Sequence, residues 1–217
     1  MKLFFPLLLS FFLVNCATTA QDKMSKKGAT EMMKAPAPKA ILTTLPYRQI
    51  PDYPEKVTAG TSIGRVIDGL GYRYYWATEG LTENDLAYNP GNEGRPAGDV
   101  LQHLYGLSLM IKAAPEQQPN IRPLPENTMT FEAIRAATLN NLKIASDIFK
   151  ASTAEEIENF KIIFQRGESQ NTMPIWHLFN GPIDDAVSHV GQIVSYRRSA
   201  GNPINPFVNV FMGKTKE

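Results

Sequence analysis

Residues 181–201 read GPIDDAVSHVGQIVSYRRSAG and contain the clearest helix signal in the chain. Gly181 followed by Pro182 is typical of a helix start, with the glycine as the cap and the proline in the first helical position. Two aspartates come next and suit the positive end of the helix dipole, while two arginines precede Gly201 and suit the negative end. The stretch therefore predicts a helix that ends near Ser199.

At 100° per residue the side chains of this helix fall into three sectors. The first is predicted to face the core and holds Ile183, Val187, Val190 and Val194. The second is predicted to face solvent and holds Asp184, Ser188, Ser195 and Arg198. The third holds Asp185, His189, Gln192 and Tyr196, whose spacing stacks them along one line of the helix. An aspartate and a histidine four residues apart can bind one metal ion, with a third ligand from a facing helix.

Three more segments have apolar residues at helical spacing, over about 61–79, 96–114 and 130–149. Residues 155–164 favour a further helix, although 160–164 fit a short strand equally well. No segment alternates convincingly between apolar and polar residues as a half-buried strand does. The sequence therefore predicts an all-α fold, a four-helix bundle with long connections between helices two and three and between helices three and four.

Residues 1–20 have the pattern of an export signal, with a positive start, a short apolar core and small residues after it. Cleavage after Ala20 and lipoprotein processing before Cys16 are both compatible with the sequence. Residues 21–45 are rich in Lys, Ala, Thr and Pro and are predicted to form a flexible linker, which leaves 46–217 as the folded domain. We therefore expect an exported protein, either periplasmic or lipid-anchored in the cell envelope.

Composition narrows the functions open to this domain. The chain has 217 residues, with 22 basic and 21 acidic side chains, and this near-neutrality argues against nucleic acid as a partner. A single cysteine excludes an intramolecular disulfide and a zinc site built from several cysteines. Any chemistry must therefore come from His, Asp, Glu, Tyr and Arg side chains.

His103 is the candidate third metal ligand. It lies at the edge of the apolar stripe of the second predicted helix, close to Leu107. Together with Asp185 and His189 it would form a set of two histidines and one carboxylate, which leaves coordination positions open and suits zinc, nickel, iron or manganese. In the alternative interpretation, Asp185 only stabilises the helix start and pairs with His189.

Three short stretches resemble the DinB-like (YfiT-type) superfamily: GLTENDL at 80–86, RPAGDVLQHL at 95–104 and HVGQI at 189–193. Members of this family are four-helix bundles that hold a divalent metal with three histidines. The resemblance covers about residues 62–200 and implies that His103 and His189 are ligands. Asp185 stands where the family has its remaining histidine, so the site has either changed its metal preference or decayed.

The resemblance implies a metal-dependent hydrolase or a thiol-dependent transferase that acts on a small molecule, and a homodimer, as in many members of the family. For a hydrolase, His177 and Tyr196 are candidate proton carriers. Each also has a structural interpretation, as a histidine packed in an aromatic loop and as a core or interface tyrosine. The alternative to an enzyme is an envelope protein that binds a ligand or partner and has a degenerate metal site. The only membrane association expected is through a lipid anchor.

Overall fold

A computed structural model describes residues 44–216. The predicted signal, the two processing sites and almost all of the predicted linker lie outside these residues. Within the described part, no helix is both long enough and apolar enough to cross a lipid bilayer.

Four long helices enclose the core and make this part of the protein mainly α-helical: α1 (Ala59–Thr78), α3 (Ala97–Glu116), α4 (Phe131–Ala151) and α6 (Asp184–Ser199). Two short helices lie between them, α2 (Glu83–Ala87) and α5 (Ala154–Asn159). Helices α1 and α3 each pack against both α4 and α6. The core between them is filled by fully buried side chains such as Tyr72, Leu101, Leu139 and Phe149.

Side-chain caps explain where two of the long helices begin. Thr58 caps α1 and exchanges hydrogen bonds with Thr61, so the helix starts two residues before the earliest predicted position. Thr130 caps α4 at the predicted place. At the end of α3, Pro115 lies inside the last turn, and the helix ends at Gln117, whose backbone is left-handed.

A three-stranded sheet makes the fold mainly α rather than all-α. β2 (Lys161–Arg166) is the central strand, antiparallel to β3 (Ser169–Pro174) and parallel to β1 (Pro119–Ile121). The helix predicted over 155–164 is therefore correct only for its first half, and the strand alternative holds for the second. Ile162 of β2 is buried against the core, so tertiary packing decides between the two. A second small sheet pairs β4 (Val208–Asn209) with β5 (Lys214–Thr215).

Helix α6 follows a kink at the predicted position. Gly181 has a non-helical backbone, with φ −95° and ψ −106°, in the turn Phe179–Ile183 that leads into α6, and Pro182 comes directly after it. The buried face of α6 is formed by Ala186, Val190, Ile193 and Arg197, whereas Val187 is exposed and Val194 only partly buried. The short helix is weakly amphipathic and allows two rotations about its axis, and packing against α1 and α3 selects one of them.

Candidate metal centre

The structure brings together the three residues that were predicted to converge. His103 lies in α3, and Asp185 and His189 lie one turn apart in α6. His103 Nε2 is 3.0 Å from Asp185 Oδ2, and His189 Nε2 is 3.3 Å from Asp185 Oδ1. One ligand atom from each residue lies within 4.8 Å of the other two. The group is thus compact enough to bind a single metal ion.

Packing of the two helices explains why these side chains meet. On α3, Leu104 and Leu107 are buried in the core, which leaves His103 at the edge of the interface. On α6, Ala186 and Val190 are buried, and each follows one of the two ligands in sequence. Asp185 and His189 therefore lie beside the buried face of α6 and turn towards α3.

Gln192 orients His189. Its Oε1 atom lies 2.8 Å from His189 Nδ1, and its Nε2 donates a 2.6 Å hydrogen bond to the hydroxyl of Tyr196. With the amide nitrogen turned towards Tyr196, the amide oxygen can accept a hydrogen bond from Nδ1 of His189. The tautomer that makes this bond has its lone pair on Nε2, the atom that faces Asp185. A hydrogen bond to the second ring nitrogen is the usual support of a metal-binding histidine.

Solvent can reach the site. The side chains of His103, Asp185 and His189 are 36, 45 and 22% exposed, and the two imidazole rings meet edge to face at 4.7 Å. Two imidazole nitrogens and one carboxylate oxygen form a mixed donor set that zinc, nickel, iron and manganese accept. Three protein ligands at an accessible position leave room for water or substrate.

A cleft of about 820 Å³ opens beside His103. Its walls are one face of α3 and the segment 124–129, with Tyr105, Leu109, Leu124 and Met129 as the main apolar surfaces. Asn127 joins the two walls, because its side chain donates to Gln102 at 2.8 Å and accepts from the backbone of Met129 at 2.9 Å. A second depression of about 550 Å³ lies beside Asp185. The candidate centre therefore borders open space on two sides.

The two candidate proton carriers lie in different environments. Tyr196 is partly buried, contacts the ring of Tyr88 at 5.3 Å, and is linked to His189 through Gln192. His177 is exposed just before the turn Phe179–Ile183, and its side chain makes no hydrogen bond or ion pair within residues 44–216. The structure therefore connects Tyr196 to the candidate centre and does not connect His177 to it.

No family model and no curated protein matches the sequence. Among solved structures, the fold is similar to the crystal structure of a DinB-like protein, YjoA, from Bacillus subtilis. The TM-score is 0.50, the sequence identity is 15%, and the match covers 67% of this chain and 96% of that one. The chain has a DinB-like fold. The resemblance seen in three short stretches of sequence is thus confirmed at the level of the fold.

One of these stretches also helps to hold the fold together. Asp85, in the stretch 80–86, accepts hydrogen bonds from the backbone and side chain of Thr82 at 2.8 and 2.7 Å and from Asn202 at 2.7 Å. Burial raises the pKa of Asp85, but these hydrogen bonds and the charge of Arg197 outweigh burial and lower the pKa below its ordinary value. Asp85 therefore attaches the segment after α6 to the start of α2.

Arg197 makes a second connection, between α6 and the end of α1. It is 4% exposed and donates to the backbone carbonyls of Trp76, Ala77 and Glu79 at 3.0 to 3.1 Å. From its position the sequence had suggested that Arg197 caps its own helix. It also reaches the carbonyl of Asn202, but most of its bonds satisfy the last turn of another helix. This contact holds the helix that carries Asp185 and His189 against α1.

Proposed function

We propose that the protein binds one divalent metal ion through His103, Asp185 and His189 and acts as a metal-dependent hydrolase on a small molecule. The frame of the site would be a four-helix bundle of α1, α3, α4 and α6 with long connections between α3 and α4 and between α4 and α6. The observation that supports the proposal best is the convergence of three ligand atoms within 4.8 Å, together with the hydrogen bond that orients His189.

The donor set fits a metal ion. Two ligands bound at about 2.1 Å to a tetrahedral ion lie about 3.4 Å apart. The distances of 3.0 and 3.3 Å from the histidine nitrogens to Asp185 are already close to that spacing. The two histidines contact different oxygens of Asp185, and the three ligand atoms lie within 4.8 Å of one another, so binding would require the side chains to close around the ion. Aspartate in place of a third histidine adds a negative charge and a harder ligand, which favours zinc, iron or manganese over softer ions.

When bound in such an open set, a divalent ion supplies a Lewis acid and lowers the pKa of a water molecule towards neutrality. The protein's own residues would then hold and select the substrate. Among the described residues that line the cleft next to the site, Glu126 is the only acidic one, and none is a lysine or an arginine. We therefore propose that the part of the substrate in this cleft is apolar and either uncharged or cationic. Tyr196, whose hydroxyl accepts from Gln192 and keeps its own proton to donate, is a candidate proton carrier. His177 remains a second candidate.

Two other functions remain candidates for specific reasons. A thiol-dependent transferase would use the same three ligands, with a thiolate in the open position. A non-enzymatic envelope protein is supported by the contacts of Asp185 with both histidines, because these three polar side chains can also satisfy one another without a metal ion. Export, supported by the pattern in residues 1–20, is part of each proposal.

Elemental analysis of the full chain, purified without chelator, tests the site. Zinc, nickel, manganese or anaerobic ferrous iron is added and excess ion is removed. We expect about one metal ion per wild-type chain and almost none in Asp185→Ala. Asp184→Ala is the matched control, since it removes the neighbouring exposed carboxylate of the same helical turn and should retain the metal. Equal metal content in the two variants would refute the site. Activity of the wild-type protein against panels of esters and amides separates an enzyme from a binding protein.

A further inference from the structure

The hairpin of β4 and β5 displays apolar side chains that the metal site does not explain. Phe207, Val210, Phe211 and Met212 are 62, 47, 92 and 48% exposed. These four large apolar residues lie within six positions of sequence, at the turn that joins the two strands and just before it. Exposed apolar residues scattered singly are ordinary, but a cluster at a turn indicates an interaction site.

The hairpin is held firmly against the rest of the domain. The backbone of Ile50 donates to the carbonyl of Gly213 at 2.8 Å, and a Cβ atom at Gly213 would lie only 2.4 Å from the Ile50 side chain. The hydroxyls of Tyr72 and Thr215 are 2.8 Å apart, and Val208 packs against the core. The apolar turn is therefore presented in one fixed orientation, which limits the entropy cost of binding.

Positive charge accompanies the apolar turn. Between Arg198 and Lys216 the sequence contains no aspartate or glutamate, and the next acid is the last residue, Glu217. Lys214 lies in β5, and its Nζ atom is 3.8 Å from Asp52, an exposed carboxylate whose pairing at this distance is weak. Lys216 lines a polar depression of about 240 Å³ with Arg48 and Thr215.

We propose that the segment 207–212 inserts into the interface of an anionic lipid bilayer, with Lys214 and Lys216 beside the lipid headgroups. Aromatic and aliphatic side chains next to lysines are the combination that binds at a membrane interface. Protein interfaces that form stable complexes bury about 800 Å² on each partner, and a turn with four apolar side chains is too narrow for such an area. The proposed contact is peripheral, at the depth of the lipid headgroups.

Depth-dependent fluorescence quenching tests the insertion directly in the full chain. Phe211→Trp places the probe at the turn, and Ile121→Trp, at an exposed position in β1, is the matched control. Both variants carry Trp176→Phe, because Trp176 is 73% exposed and would dominate the emission. The vesicles contain phosphatidylcholine with or without phosphatidylglycerol, and the quencher is bromine on the lipid acyl chains. Any attachment through residues 1–43 is common to both probes and does not affect the comparison.

With anionic vesicles, we expect the emission of the Phe211→Trp variant to shift to shorter wavelength and to be quenched by the brominated lipid, while the emission of the Ile121→Trp variant is unchanged. Phe207→Ser with Phe211→Ser should weaken the binding to anionic vesicles by about tenfold or more. Emission from the indole probe at position 211 that does not respond to vesicles would overturn the proposal. A double serine variant that changes from dimer to monomer in solution would also overturn it, because the turn would then be a contact between copies of the chain.

Discussion

Replacing Gln192 with leucine should weaken divalent-metal binding by about 10- to 100-fold, although all three ligands remain in place. In the structure Gln192 Oε1 lies 2.8 Å from His189 Nδ1, and the Gln192 amide donates to the hydroxyl of Tyr196. Leucine fills a similar volume and cannot accept a hydrogen bond. The imidazole of His189 is then free to rotate, and either ring nitrogen can carry its proton, so part of the binding energy is lost in orienting it.

The cost of ordering His189 sets the size of the effect. In the variant, metal binding must itself fix the ring and its tautomer, which the wild type does beforehand with two hydrogen bonds; at about 0.5 to 1.5 kcal/mol for each bond, this cost is about 1 to 3 kcal/mol. This range corresponds to a loss of affinity of about 5- to 150-fold, at 1.4 kcal/mol for each factor of ten. Tyr196→Phe removes only the outer of the two bonds and should weaken binding by less than about tenfold.

Titration of the protein against a chromophoric chelator of known affinity measures the change. Gln102→Leu is the matched control, because Gln102 is next to His103 in sequence but bonds to Asn127, and it should leave the metal affinity unchanged. The reasoning fails if Gln192→Leu binds metal as tightly as the wild type, or if Gln102→Leu loses as much affinity. In either case the amide of Gln192 does not orient the ligand.

Three further predictions concern stability. A metal ion at a concentration of 100 times its Kd stabilises the native state by about 2.7 kcal/mol. Chelator should therefore lower the melting temperature, measured by calorimetry, by about 5 to 10 °C in the wild type and leave it unchanged in Asp185→Ala. Because the pKa of Asp85 is lowered in the folded state, its contribution to the free energy of unfolding is complete above about pH 4 and is lost as the pH falls through the folded pKa. In urea unfolding, Asp85→Asn should therefore be less stable than the wild type at pH 7, and the difference should shrink in acid. A Cβ at Gly60 would lie 2.1 Å from the carbonyl oxygen of Phe149, so Gly60→Ala should lower the free energy of unfolding by about 1 to 3 kcal/mol in the same assay. The control is Gly191→Ala, which should be neutral or stabilising because its Cβ would have no neighbour within 4 Å.

Local signals predicted the helices better than the strands. The apolar spacing identified α1, α3 and α4, the residues at its two ends identified α6, and Thr130 correctly marked the start of α4. The segment 160–164 was ambiguous because a short apolar run fits a buried strand and a helix equally. Its pairing partners, β1 and β3, contain few apolar residues in alternation, and β1 is only three residues long. Such strands form because β2 provides a ladder to pair with, which no local pattern shows.

The sequence predicted the part of the candidate site that depends on helical spacing. The line of Asp185, His189, Gln192 and Tyr196 is a consequence of the helix period, and the chain of hydrogen bonds along it follows that line. Gln192, three residues after His189 on one helix face, was expected to bond to a neighbouring backbone group or ligand, and in the structure it contacts Nδ1 of His189. The main partners of Arg197 were not predicted, because the helix end nearest to it in sequence is not the helix end it contacts in space.

The sequence by itself determined the helices, the apolar stripe that leaves His103 at its edge, and the line of polar side chains on α6. These features depend on neighbours within about four residues, and the period of the α-helix is enough to derive them. Only the tertiary structure decided which way α6 faces, that His103 reaches Asp185 across 82 residues of chain, and that the last hairpin presents its phenylalanines to solvent. Those outcomes depend on how complete helices pack against one another, and that packing is set by the sum of many contacts between distant residues.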